Sequence, residues 1–295
     1  RKRALAAPAG WGATDIQRAY GITNTGSTAT VAIIDAYGYS ALEADLGVYR
    51  SQYGLPACTK ANGCLTIVNQ NGSTSSLPSN APSSDDWTAE TALDVDMASA
   101  GCPSCKILVV QATNDSGTGL DVGNNTAASM GAATISNSWG GTESSGVTSE
   151  ESYFNHPGIA IFVAAGDNGY TGSSPDYPST SAHTIAVGGT TLSSSSNSRG
   201  YSETAWNDGG SSCSNYISMP SWQTATGQCS GARMASDVSA VANGSEGIAI
   251  YDSLNGNGGW TQVEGTSAAS PLPDEVAGPS AARPFRRDAA PAPAP

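Results

Sequence analysis

The stretch Gly265-Thr266-Ser267-Ala268-Ala269-Ser270-Pro271 has the residue types a nucleophile needs. A serine after a turn, flanked by small residues at the start of a helix, can project its hydroxyl into a cleft. Small neighbours let a substrate backbone come close, and a helix N-terminus favours developing negative charge. The same letters also fit a plain helix N-cap. A serine nucleophile needs a base. The chain has only two histidines, His156 before Pro157 and His183 in a Ser/Thr-rich stretch, and neither has a context that orients it. The alternative base is a carboxylate. Glu90 and Asp94 are spaced i, i+4 and share a helix face. Buried close together, they share a proton and one pKa rises. Glu90 then takes the serine proton with Asp94 in support, in acid where a histidine is already protonated. Left in solvent, the pair is an ordinary acidic surface helix. Asp167, in Ala164-Ala165-Gly166-Asp167-Asn168-Gly169, follows a strand. When protonated it can donate to an oxyanion; it also fits an Asx-turn beside glycine. Asn137 and Ser138 precede Trp139-Gly140-Gly141, either as one wall of a peptide cleft or as a turn.

These residues need a scaffold, and the chain's patterning supplies one. Val31-Ala32-Ile33-Ile34 is an apolar run ending at Asp35, as a buried parallel strand requires. Residues 41–50 have helical spacing, and 69–84 form an Asn/Ser/Pro-rich loop. Asp85-Asp86 stand where an N-cap belongs, before a helix over 87–100 with Leu93, Met97 and Ala100 on one stripe. Further strands are expected at Ile107–Val110, Ala133–Ser136, Ile159–Ala164 and Thr184–Val187, with a small-residue helix at 119–131. The alternation predicts an α/β fold with a doubly wound, mostly parallel sheet. In such sheets function gathers at the C-terminal strand ends. Ser193 to Ser196 reads as an exposed loop. Gly247 to Asp252 and Gly259 to Val263 are expected to pair as a hairpin around Asn255-Gly256-Asn257-Gly258.

Composition narrows the function classes. Twelve Lys and Arg against 25 Asp and Glu give a net charge of −13, which argues against a nucleic-acid binder. No apolar run approaches the roughly 20 residues of a membrane span. Two histidines make a multi-histidine metal centre a poor fit. Six cysteines fall into three local groups: Cys58 and Cys64, Cys102 and Cys105, Cys213 and Cys229. Fifteen pairings are open, and three local disulfides are the simplest. Cys102-Pro-Ser-Cys105 also has zinc-knuckle spacing, without a second knuckle after it. Together these features suit an extracellular protein. The start at Arg1-Lys2-Arg3, with no initiator Met or apolar leader, suits a mature form or fragment.

Taken together, the serine motif, Glu90-x-x-x-Asp94 and the strand-end Asp167 resemble the sedolisin family, the serine-carboxyl peptidases of subtilisin-like fold. Asp35 resembles the strand-end aspartate of subtilisins, but no H-G-T motif follows. The resemblance runs from about Trp11 to Pro271. It implies a secreted serine-type endopeptidase acting at acidic pH through an acyl-enzyme. Ser267 would be the nucleophile, Glu90 and Asp94 the base pair, and Asp167 the oxyanion partner. It also implies an N-terminal pro-domain in the precursor, protein or peptide substrates, a monomer, and no nucleic-acid or membrane partner. Residues 1–10 are then an N-terminal extension, 11–271 the peptidase domain, and 272–295 a disordered Pro/Ala-rich tail. Family members continue with a buried helix and a calcium loop. Pro273, Asp274, Glu275 and Asp288 do not reproduce these, so no cofactor is evident and the expected calcium site looks absent. The competing reading is an inactive, peptidase-like binding module.

Overall fold

The computed structural model describes residues 8–272, apart from 24–25, 117, 173, 225–226, 245–246 and 255–257. Its first half alternates helices and strands: α1 (Ala13–Tyr20), β1 (Thr30–Ala36), α2 (Leu42–Gln52), β2 (Leu65–Asn69), α3 (Trp87–Gly101), β3 (Lys106–Ala112), α4 (Gly119–Ser129) and β4 (Thr134–Asn137). The short β5 (Gly141–Thr142) and α5 (Val147–Glu150) lead to β6 (Ala160–Ala164). The second half is strand-rich: β7 (Tyr170–Gly172), β8 (Asp176–Tyr177), β9 (Ile185–Ser194), β10 (Tyr201–Ala205), β11 (Ser211–Ser218), β12 (Ala232–Ala235), β13 (Val238–Gly244), β14 (Ile248–Asp252) and β15 (Gly259–Val263). The four-residue α6 (Thr266–Ala269) follows.

Six parallel strands run in the order β2-β3-β1-β4-β6-β9. Side chains alternate across a strand, and β1 shows the result. Val31 and Ile33 join the core that contains Leu46 of α2 and Met97 of α3. Ala32 and Ile34 join a second core with Leu120 and Ala127 of α4. The sheet is therefore covered on both faces, as a doubly wound sheet must be. Asp35 shares the parity of Val31 and Ile33, which turns it toward α3.

Two elements differ from the sequence reading. α3 has no single apolar stripe; it packs on β1, α1, α2, α6 and β14 and is buried on nearly all sides. Its polar groups are met by different elements. Thr88 donates to Asp252 at 2.9 Å, Asp96 accepts from the Tyr251 amide at 3.1 Å, and Ser99 accepts from Arg50 at 2.8 Å. β9 runs on to Ser194, past the expected end at Val187 and into the serine run. The extension exists because β13 pairs with residues 187–192 and β10 with residues 190–194.

The hairpin of β14 and β15 forms as expected, with Ile248 opposite Val263 and Asp252 opposite Gly259. Asn255, Gly256 and Asn257 of its turn lie outside the described residues, as does the segment from Pro273 onward. All three local disulfides are present: Cys58–Cys64, Cys102–Cys105 and Cys213–Cys229. No helix among the described residues is long and apolar enough to cross a membrane.

Candidate active site

β1, β4 and β6 are parallel neighbours, so their C-terminal ends share one edge of the sheet. That edge carries Asp35 near the end of β1, Ser138 just past β4, and Gly166-Asp167 just past β6. A cleft of about 450 Å³ opens there, lined by Glu90, Ser138, Asp167 and Ser267 among others. Three of the four predicted site residues therefore face one space. The fourth, Asp94, is fully buried, one helical turn from Glu90. His156 and His183 are absent from the lining. His156 bonds the Tyr153 carbonyl at 3.1 Å, and His183 lies 3.9 Å from Glu151.

Ser267 is half-buried on α6, beside the buried Ala268 and Ala269. The helix described here has only four residues, so its dipole is a minor source of field. The loop ahead of it is held by Asp167. Asp167 Oδ1 accepts from the Thr266 amide at 2.7 Å and from its hydroxyl at 2.8 Å. Gly265 has φ +153°, and a Cβ there would lie 2.9 Å from Asp167 Oδ2. Glycine is therefore required both for the backbone and for the approach of this carboxyl. Asp167 is not a simple turn residue, since it clamps the loop that delivers Ser267.

Burial pushes the Glu90 carboxyl up to about 8; a hydrogen bond from Ser267 opposes the rise, and the charges of Asp35, Asp167 and Asp86 add to it. Glu90 Oε1 is buried without a hydrogen-bond partner. Asp35 behaves alike. Burial raises it to about 7, with Thr91 opposing, and neither of its oxygens has a formal partner. The Thr91 hydroxyl is given instead to the Trp87 carbonyl at 2.9 Å. Desolvation thus dominates at both groups.

Each of these two carboxyls binds its proton more tightly folded than unfolded. Their stabilising contribution is complete below the ordinary values of 3.8 and 4.5 and is lost as pH rises through about 7 and 8. The thermal midpoint should therefore fall steadily between about pH 4 and pH 8. Asp35→Asn should flatten that fall. A flat or rising wild-type profile, read by differential scanning calorimetry, would contradict the assignment.

Two features of the site escaped the sequence reading. Asp176 lines the cleft, and burial, then the charge of Asp167, raises its pKa. It is placed by β8, whose two residues pair with β5. A two-residue strand leaves no periodicity to detect. Asp86 starts α3 through its carbonyl, which accepts from the Glu90 amide at 2.9 Å, while its side chain caps nothing and lines the cleft with Asp85. The lining thus holds five carboxyl groups and no lysine or arginine. Trp139 forms part of the wall, tied to β1 by a 3.0 Å bond from its indole to the Ile34 carbonyl.

Among the described residues, no group of three or more His, Cys, Asp or Glu side chains is placed to hold a metal ion. Asp274 and Asp288 lie outside them.

Residues 67–281 match the model of the Subtilase family. Sedolisin from Pseudomonas sp. (strain 101) is 32% identical over 262 residues, covering 77% of this chain and 44% of that protein. Kumamolisin from Bacillus sp. (strain MN-32) is 29% identical over 303 residues, covering 90% of this chain and 51% of that protein. The chain thus spans about half the length of these curated relatives. The structure of Pseudomonas sedolisin, a serine-carboxyl proteinase complexed with two molecules of pseudo-iodotyrostatin, superposes with a TM-score of 0.76 at 28% identity, over 92% of this chain and 80% of that one. A lanthipeptide protease shares the fold, with a TM-score of 0.55 at 16% identity.

Proposed function

The chain belongs to the subtilase family, on its sedolisin branch, and from that premise we propose that it is a secreted serine-type endopeptidase working in acid. The observation that carries the proposal is the convergence of Ser267, Glu90 and Asp167 on one cleft. Its substrates are protein or peptide chains, and its precursor carries an N-terminal pro-domain.

In acid, Glu90 already holds a proton, since burial pushes its carboxyl up to about 8. It serves as base by relay. The Ser267 hydroxyl gives its proton to Glu90 while Glu90 passes its own to Asp94, one turn along α3. The freed Ser267 Oγ bonds to the scissile carbonyl carbon, and the carbonyl electron pair moves onto oxygen. The Ser267 amide and a protonated Asp167 donate to that oxyanion. Proton return through Glu90 to the leaving amine breaks the C–N bond, and water repeats the sequence in reverse to release the acid. A histidine base would be protonated and idle at the same pH.

The test is incubation of the full chain with an unfolded protein at pH 4, with new termini read by mass spectrometry. Repeated cleavage is the expected result. An intact substrate beside a chain that unfolds cooperatively would instead make this a peptidase-like binding module.

A further inference from the structure

Three consecutive residues at and just past the end of β4 tie it to α3, to α4 and to the residue that ends α6. Ser136 and Ser270 share a buried 2.9 Å hydroxyl contact. Asn137 and Asn124 of α4 exchange amide bonds of 3.1 and 3.2 Å. Ser138 donates to Asp94 Oδ1 of α3 at 2.7 Å, and its other acceptor, the Ser267 carbonyl, is 3.4 Å away. Asn124 also donates to the Leu120 carbonyl at 3.3 Å, and none of the four residues of these first two pairs lines the cleft. Ser138 alone reaches both the acid pair and the nucleophile's own backbone. Its side chain is buried and lies against the cleft.

Accepting the serine-carboxyl reading above, we propose that Ser138 is a positioning residue that decides which member of the Glu90–Asp94 pair carries the shared proton. A hydroxyl has one hydrogen, and the shorter contact takes it. Asp94 Oδ1 is then the acceptor of that hydrogen. Asp94 is fully buried, so no solvent competes for that bond. A hydrogen bond to the ionised form favours that form, which leaves the proton on Glu90 at rest. When the relay delivers a proton to Asp94, the hold of that carboxyl on the Ser138 hydrogen weakens, and the Ser267 carbonyl is the alternative acceptor. The charges that act on Glu90 are those of Asp35 from β1, Asp167 from the loop after β6 and Asp86 from the head of α3, all acidic.

Removing the hydroxyl weakens the one-proton state of the pair against the two-proton state. Both the one-proton and the zero-proton states contain ionised Asp94, so the second titration is spared. In Ser138→Ala the acid limb of the kcat profile should therefore move up by about one pH unit, with the alkaline limb in place. The kcat at the optimum should fall about tenfold, with KM within about twofold. Ser138→Thr keeps the hydroxyl and should restore both the limb and the rate.

A carboxyl carbon-13 titration of the folded protein, wild type against Ser138→Ala, reads the same shift without turnover. An upward Asp94 titration in Ser138→Ala supports the proposal even if no variant cleaves peptides, in which case the peptidase reading is what fails. An unmoved acid limb and an unmoved carboxyl titration would overturn it. So would equal losses in the Ala and Thr variants, since that pattern belongs to packing.

Discussion

Ser267→Ala is expected to lower kcat on an unfolded protein at pH 4 by about 10⁵-fold or more, with little change in the thermal midpoint. The substitution removes the atom that forms the acyl bond in the proposed mechanism, and no other hydroxyl replaces it. Thr266 is buried and engaged with Asp167 and the Gly166 amide, and Ser270 is buried against Ser136. Alanine suits the position, because it follows the Ala268 and Ala269 pattern and favours helix. The anchor that holds the loop, Asp167 on the Thr266 amide, is untouched. Retained cleavage above about one per cent of the wild-type rate, with the variant folded, would remove Ser267 from the mechanism.

Glu90→Gln is expected to cost about 10³- to 10⁴-fold in kcat at every pH from 3 to 8. The amide keeps the shape of the side chain and cannot accept the serine proton. A second readout separates this from simple damage. A neutral amide carries no charge for burial to oppose, so the variant should lose less stability than the wild type between about pH 5 and pH 8. The wild-type rate should itself decline as pH rises through about 8, where Glu90 gives up its proton. If Glu90→Gln cleaved with a maximum near neutral pH, the carboxylate base would be excluded and a different group would have to be found.

The parts of the site legible in the sequence are those set by local geometry. Glu90 and Asp94 needed only the pitch of one helix to stand one turn apart. Asp167 needed only the end of an apolar run, and Ser267 only a glycine-led turn before alanines. The doubly wound sheet followed from apolar runs separated by helical stretches. What stayed hidden was set at a distance. Asp176 reaches the cleft through the pairing of β8 with β5. The hydroxyl on Asp94 comes from Ser138, 44 positions away. The all-round burial of α3 depends on β14, more than 150 residues later, supplying Asp252 and the Tyr251 amide. A helix with Glu90, Asp94 and Asp96 reads as a wet surface until those partners are known. Likewise β9 could not announce its length, since the strands that prolong it come later in the chain.

The disulfides close spans of only 6, 3 and 16 residues. None joins the part of the chain that carries Glu90 to the part that carries Ser267. Between Cys105 and Cys213 the polypeptide is a single thread. One cut there leaves Glu90 and Ser267 on separate fragments that only packing keeps together. Under the proposed peptidase activity, working lifetime is then decided by how well that thread is shielded from its own copies, because a single such event dismantles the site.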